Sequence, residues 1–241
     1  MAEPNRRPPV APALARPVPA GARVDLALTL PIFLAYHLGV VFLNIRNASD
    51  VVTGVLMQLA EGNKSVYLLI TLGIGVVFAT VFGLLGRGQA FKLTKFVQIA
   101  IEGVAYAFLM RLAGSFVVGQ MFAGKISIHG FPGFIMSLGA GFYEELTYRF
   151  LLFGVGSYVL RTLLFARGTL RGSIMSWGWA VVAAGMFSAM HYIGPMGDPF
   201  ELKSFVFRWV LGMTLTLIFV FRGFAAAVWA HAFYDVWVMV F

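Results

Sequence analysis

Gly141-Phe142-Tyr143-Glu144-Glu145-Leu146-Thr147-Tyr148-Arg149-Phe150 puts three full charges into six residues, inside a long apolar run. On insertion scales, one ionisable side chain at the centre of a membrane helix costs about 2.5–3.5 kcal/mol. Three together persist only if they neutralise one another or face a wet cavity. Glu145 and Arg149 stand four apart with the glutamate on the N-terminal side, the better orientation for an ion pair within a helix. Glu144 lies about 100° round an α-helix from Glu145 and points elsewhere. One glutamate reads as the arginine's partner and the other as available for chemistry.

Working outward, the chain is 60% hydrophobic and only 12% charged, with a mean hydropathy of +0.85, so a soluble fold would lack the polar surface to cover it. Apolar segments fall near 26–45, 66–85, 96–118, 134–160, 174–194, 205–221 and 224–241. Each is close to the roughly 20 residues that cross a bilayer. The expected fold is therefore all-α, a polytopic transmembrane helix bundle of about seven spans embedded in a lipid bilayer.

The net charge of +8 is distributed topologically. Arg87, Lys92 and Lys95, then Arg161, Arg167 and Arg171, then Arg222 mark one set of loops. The alternate loops are mixed or acidic: Arg46, Asp50, Glu61 and Lys64; then Lys125; then Asp198, Glu201 and Lys203. Residues 1–24, rich in Pro, Ala and Arg, read as a disordered basic tail. They fall with the basic set and place the N-terminus in the cytoplasm. No basic stripe interleaved with aromatics occurs, so no nucleic-acid partner is expected. The first apolar run lacks a small-residue cleavage site and reads as a signal anchor. Absence of cysteine excludes disulfides, thiol catalysis and Cys-ligated metal. With the high Ala, Gly and Arg content it points to a bacterial inner membrane.

Other polar groups are buried in later segments. His191 follows Phe187 by four residues, and Asp235 follows His231 by four, so each pair shares a helix face. Glu144, His191 and His231 fall in three different segments, 47 and 40 residues apart. Two imidazoles and a carboxylate make the usual ligand set of a catalytic zinc with an open position for water. A carboxylate beside such water can serve as general base. No His-Glu-x-x-His pair occurs on one helix, so an ordinary zincin is excluded. Ser137 and Ser188 lack a Gly-x-Ser-x-Gly turn. Glu102 and Arg111 are assigned no chemistry, and His37 and His129 read as structural.

These residues resemble the CPBP intramembrane proteases, relatives of the CAAX prenyl endopeptidase and of bacteriocin-processing proteins. The family pattern stands here, in order, as Glu144-Glu145-x-x-x-Arg149, Phe187-x-x-x-His191 and His231-x-x-x-Asp235. The resemblance covers residues 131–241, a four-helix catalytic core, and leaves 25–130 as N-terminal transmembrane helices without motif. It implies an intramembrane endopeptidase acting on a membrane-anchored protein or peptide. Glu144 would activate water, and His191 and His231 would hold Zn2+ or polarise the scissile carbonyl. Glu145 and Arg149 would brace the site. Asp235 would stabilise an oxyanion or, better suited to its charge, join Glu144 and the histidines as a metal ligand. The competing classes are a proton- or ion-coupled transporter, whose ionisable groups would string along the membrane normal, and a non-catalytic membrane scaffold. One tension remains: His231 is nine residues from Arg222 but His191 twenty from Arg171, so straight, untilted helices would put them at different depths.

Overall fold

A computed structural model describes residues 22–43, 45–85, 92–119, 130–164, 169–194 and 197–241; the expected tail lies almost wholly outside them. In chain order the elements are α1 (Ala22–Val40), α2 (Val52–Leu59), α3 (Lys64–Leu85) and α4 (Leu93–Val118). A single helical run follows, made of α5 (Gly130–Gly139), a π-helix, π1 (Ala140–Val155), and α6 (Gly156–Leu164). The chain ends with α7 (Leu170–Met190), α8 (Leu202–Arg222) and α9 (Phe224–Val240). Among the described residues there is no strand, in keeping with the all-α expectation.

Four helices, α3, α4, α7 and α8, are long and apolar enough to cross a membrane. Apolar helices Val24–Val40 and Phe224–Val240 are shorter. At 1.5 Å per residue each spans about 26 Å, a little less than a hydrocarbon core. The seven expected segments thus comprise four full-length spans, two short helices and the charge-bearing run of π1. Outward faces of α3 carry exposed Leu69, Leu72, Val76 and Val77, the surface that lipid requires. The chain is an integral membrane protein. Helix α2 has no counterpart among the expected segments, since its eight residues fall in a loop by length alone.

At the centre stands α9, which packs on α1, α4, α5, π1 and α8. Its sequence explains why. Ala225, Ala226, Ala227 and Ala230 have no exposed surface, and small side chains let neighbouring backbones approach closely where lipid offers no hydrophobic drive. At Gly141 of π1, an added Cβ would sit 2.8 Å from the Val228 carbonyl oxygen and 2.6 Å from the Ala232 Cβ. Nothing larger than glycine fits between π1 and α9 there. The start of α9 is fixed from the far end of the chain: Asp25 accepts the backbone N–H groups of Phe224 (2.5 Å) and Ala225 (3.2 Å). A carboxylate at that position satisfies orphan donors and complements the helix dipole.

The depth discrepancy expected of straight helices does not keep the histidines apart, since both line one cavity. At the α8–α9 turn Arg222 makes a bidentate pair with Glu102 of α4, at 2.7 Å.

Over 16 residues the Glu144–Arg149 stretch is a π-helix rather than the α-helix whose 100° spacing the sequence argument uses. Its bonds reach one residue further, as from the Gly156 N–H to the Leu151 carbonyl. Such segments occur inside longer helices, frequently at functional sites.

Candidate active site

π1 supplies both glutamates. Glu145 is fully buried, and its Oε1 lies 3.1 Å from Arg149 Nη1, itself only 1% exposed. Arg149 reaches further with its other nitrogen, donating from Nη2 to the Gly212 carbonyl of α8 at 3.4 Å. Its guanidinium carbon stands 4.1 Å from the centre of the Phe187 ring of α7. This pair therefore ties π1 to α7 and α8 and contributes no open surface to the site.

The Phe187 ring is a hub. The rings of Tyr148, His191 and His231 meet it nearly edge-on, with centroids 5.4, 5.0 and 5.9 Å away. Phe187 thus sets the two imidazoles on one side of the core. His191 caps the C-terminus of α7, and its Nδ1–H donates to the Phe187 carbonyl at 2.9 Å. That bond fixes the ring and leaves Nε2 as its free acceptor.

His231 of α9 is buried. Its Nδ1–H donates to Glu145 Oε1 at 2.7 Å. Nε2 faces two other carboxylates, Asp235 Oδ2 at 3.6 Å and Glu144 Oε2 at 3.9 Å. Glu145 accordingly serves two partners from one oxygen, while its Oε2 has no hydrogen-bond partner.

Glu144 stands where two cavities meet. One, of about 230 Å³, is walled by Met110, Leu211, Leu215 and Val238 together with His191, His231 and Asp235. The other, of about 270 Å³, opens among Arg46, Ser49, Tyr148, Gly197 and Asp198. Asn47, Met136, Glu144 and His191 line both. The two cavities thus share a wall at the Glu144 carboxylate, and each is lined by apolar and ionisable side chains together.

Five of the six residues singled out by sequence are in mutual contact. Glu145 joins Arg149 and His231, and His231 faces Glu144 and Asp235. The sixth, His191, lines the same cavity as Glu144, His231 and Asp235. Two more lining residues escaped sequence reasoning. Arg208 of α8 lines the chamber and pairs with Asp198. A cation inside an apolar run was its available signal. Asn47 donates from Nδ2 to Glu144 Oε1 at 2.8 Å, and a polar residue in a polar loop gave no signal at all. Glu102 and Arg111 stay outside the site: the first pairs with Arg222, and the second lies over the Trp237 ring at 4.9 Å. His37 is bonded between Tyr67 and Tyr143, at 2.6 and 2.5 Å.

The motif implies zinc, which His191, His231, Glu144 and Asp235 would hold. Among the described residues no three His, Asp or Glu side chains are gathered as a metal cage. Nδ1 of His231 is held by Glu145 and Nδ1 of His191 by a backbone carbonyl, bonds that metal-ligating histidines also make, and each Nε2 is left available. The side chains as they stand form no three-ligand centre, and no catalytic step is routed through a metal.

No curated protein and no solved structure matched the chain. Residues 127–237 match the profile of the type II CAAX prenyl endopeptidase Rce1-like family. That interval spans π1, α7, α8 and nearly all of α9, and holds every residue of the three motifs. Over this interval, just under half of the chain, the protein is similar to the type II CAAX prenyl endopeptidase Rce1-like family.

Proposed function

We propose that the protein hydrolyses a peptide bond of a membrane-anchored protein or peptide, with Glu144 as the general base. The observation that carries this is the position of Glu144 on the shared wall of two cavities, one of them lined by both histidines. Water reaches the carboxylate from the cavity at the Arg46–Ser49 loop, and the side of the other formed by Met110, Leu211 and Leu215 takes the apolar part of the substrate. Glu144 Oε2 accepts a proton as the water oxygen adds to the scissile carbonyl. His191, its Nδ1–H engaged, offers Nε2 to orient that water. His231, as the imidazolium, is anchored through Nδ1–H on Glu145 and donates Nε2–H to the carbonyl oxygen. Collapse of the tetrahedral species breaks the C–N bond, and the proton held by Glu144 passes to the leaving amine. Asp235, 3.6 Å from His231 Nε2, orients that nitrogen. Convergence of these groups on one place supports hydrolysis over a proton relay.

The test compares new protein termini in membranes of cells carrying the wild type with those of cells lacking the gene. One or a few membrane proteins are expected to lose a defined cleaved form when the gene is absent. An unchanged set of termini would overturn the reading. Adding a membrane-permeant chelator to purified protein and the substrate so found is expected to leave cleavage intact. Loss that zinc reverses would instead establish a metalloendopeptidase.

The second cavity, the passage for water, lies at the loops around Arg46–Ser49 and Gly197–Asp198, the set poor in positive charge. With the basic loops inside, the substrate is attacked from the outer side of a bacterial inner membrane. The chain has no cysteine, so single introduced thiols report sidedness directly. An impermeant maleimide on intact spheroplasts is expected to label Ala48→Cys at once and Arg171→Cys only after permeabilisation. The reverse pattern would place the passage on the cytoplasmic face.

A further inference from the structure

The family match begins at residue 127, yet among the described residues a hydrogen bond to Glu144 comes from Asn47, far upstream. We infer that Asn47 is a positioning residue of the active site. Its amide fixes the Glu144 carboxylate so that Oε2, not Oε1, is the oxygen that meets water. The inference rests on the reading of Glu144 as base given above.

Both ends of the Asn47 amide are accounted for. Oδ1 accepts the Ser49 backbone N–H at 2.8 Å, which orients Nδ2 towards Glu144 Oε1 at 2.8 Å. Asn47 is 7% exposed, and the two bonds engage both ends of its amide. Its backbone is held as well. The Asn47 N–H donates to the Tyr36 hydroxyl at 3.2 Å, and that hydroxyl donates to Asp50 Oδ2 at 2.8 Å. Asp50 Oδ1 in turn accepts the Thr53 N–H in the first turn of α2, at 2.9 Å. Behind this loop Tyr36 lies against Gly139, and His37 bridges Tyr67 of α3 and Tyr143, the neighbour of Glu144 in π1. Asn47 is therefore tied through Tyr36 and Asp50 to α1 and α2, and its amide ends on the catalytic carboxylate.

The consequence is an asymmetry between the two oxygens. Oε1 is occupied by the amide. Oε2 faces His231 Nε2 at 3.9 Å and the shared wall of the two cavities. A carboxylate free to rotate would spend part of its time with neither oxygen aimed at bound water, and small misplacements of catalytic groups are costly in rate.

The test separates the amide donor from a merely structural loop. Asn47→Asp keeps the acceptor for Ser49 and the backbone bond to Tyr36, but removes the donor. Asn47→Ala removes both side-chain bonds. With the membrane substrate identified as above, both variants are expected to lower kcat about ten- to a hundred-fold, the range of a hydrogen bond to a charged group. KM is expected to stay within about twofold, because uniform binding is untouched. Activity retained by Asn47→Asp and lost by Asn47→Ala would assign a loop-folding role and overturn the inference. A second measurement needs no substrate: the carboxylate infrared band of Glu144, isolated as the wild-type minus Glu144→Gln difference in protein labelled with 13C-glutamate. Asn47→Ala is expected to shift it. An unmoved band overturns the inference. A shifted band in a protein that cleaves nothing would leave the contact standing and defeat the protease reading alone.

Discussion

Glu144→Gln is expected to lower the rate of peptide cleavage by about 10²–10⁴-fold, the contribution typical of a positioned general base. The substitution keeps the size of the side chain and its Oε1 acceptor for the Asn47 amide. It removes the oxygen that takes a proton from water. Because Glu144 is only partly buried and has no paired cation of its own, the thermal stability of the purified protein is expected to change little, unlike that of the Glu145 and Arg149 variants below. The measurement is single-turnover cleavage of the identified substrate by purified wild type and variant, with melting followed in parallel. KM is expected to hold within about twofold, since the proposed mechanism seats the substrate's apolar part against Met110 and Leu215 rather than on the carboxylate. A variant that keeps more than about a tenth of the wild-type rate would remove Glu144 from the role of base. His191 and His231, or a bound metal, would then have to activate water without it.

How much of this was readable from sequence depends on the kind of physics involved. Membrane burial makes ionisable residues expensive, so Glu144, Glu145, Arg149, His191, His231 and Asp235 stand out of an apolar chain by residue type alone. Spacing of four within a helix then divides the two glutamates, because such neighbours touch in either helical register; Glu145 and Arg149 lie 3.1 Å apart even though π1 is not an α-helix. The π register itself was not legible, and neither was the close approach of π1 to α9 at Gly141 and Ala232, which is a tertiary matter. So is the anchoring of the α8–α9 turn by Glu102 and Asp25. Asn47 was illegible for the opposite reason. A polar residue in a loop costs nothing in the linear sequence, and only the fold brings it 2.8 Å from a residue 97 positions away. Burial advertises charged residues, and it hides their neutral partners.

Removing either member of the Glu145–Arg149 pair alone is expected to produce the largest loss of stability in the protein. Both side chains are buried to within 1% of completely, and no water is there to solvate the survivor. Breaking a buried pair from one side costs about 3–5 kcal/mol, because the remaining charge is left uncompensated. For a domain of this size that corresponds to about 10 °C or more in thermal midpoint. Glu145→Gln leaves the Arg149 guanidinium with only the Gly212 carbonyl and the Phe187 ring. Arg149→Met leaves the Glu145 carboxylate with His231 Nδ1, and with an Oε2 that already lacks a partner. The double variant Glu145→Gln with Arg149→Met removes both charges and retains an amide oxygen for His231. Since replacing a buried pair by uncharged groups of similar volume is often neutral or stabilising, it is expected to recover most of the lost stability. Fluorescence-detected size exclusion after stepwise heating in detergent measures all three. Single variants melting within about 2 °C of wild type would mean that water or lipid headgroups reach the pair. A double variant no better than its parents would mean that the two residues act separately. If stability returns and cleavage does not, the pair does more than hold helices together. It fixes the face of His231 that meets the substrate, through the 2.7 Å bond from Nδ1 to Glu145.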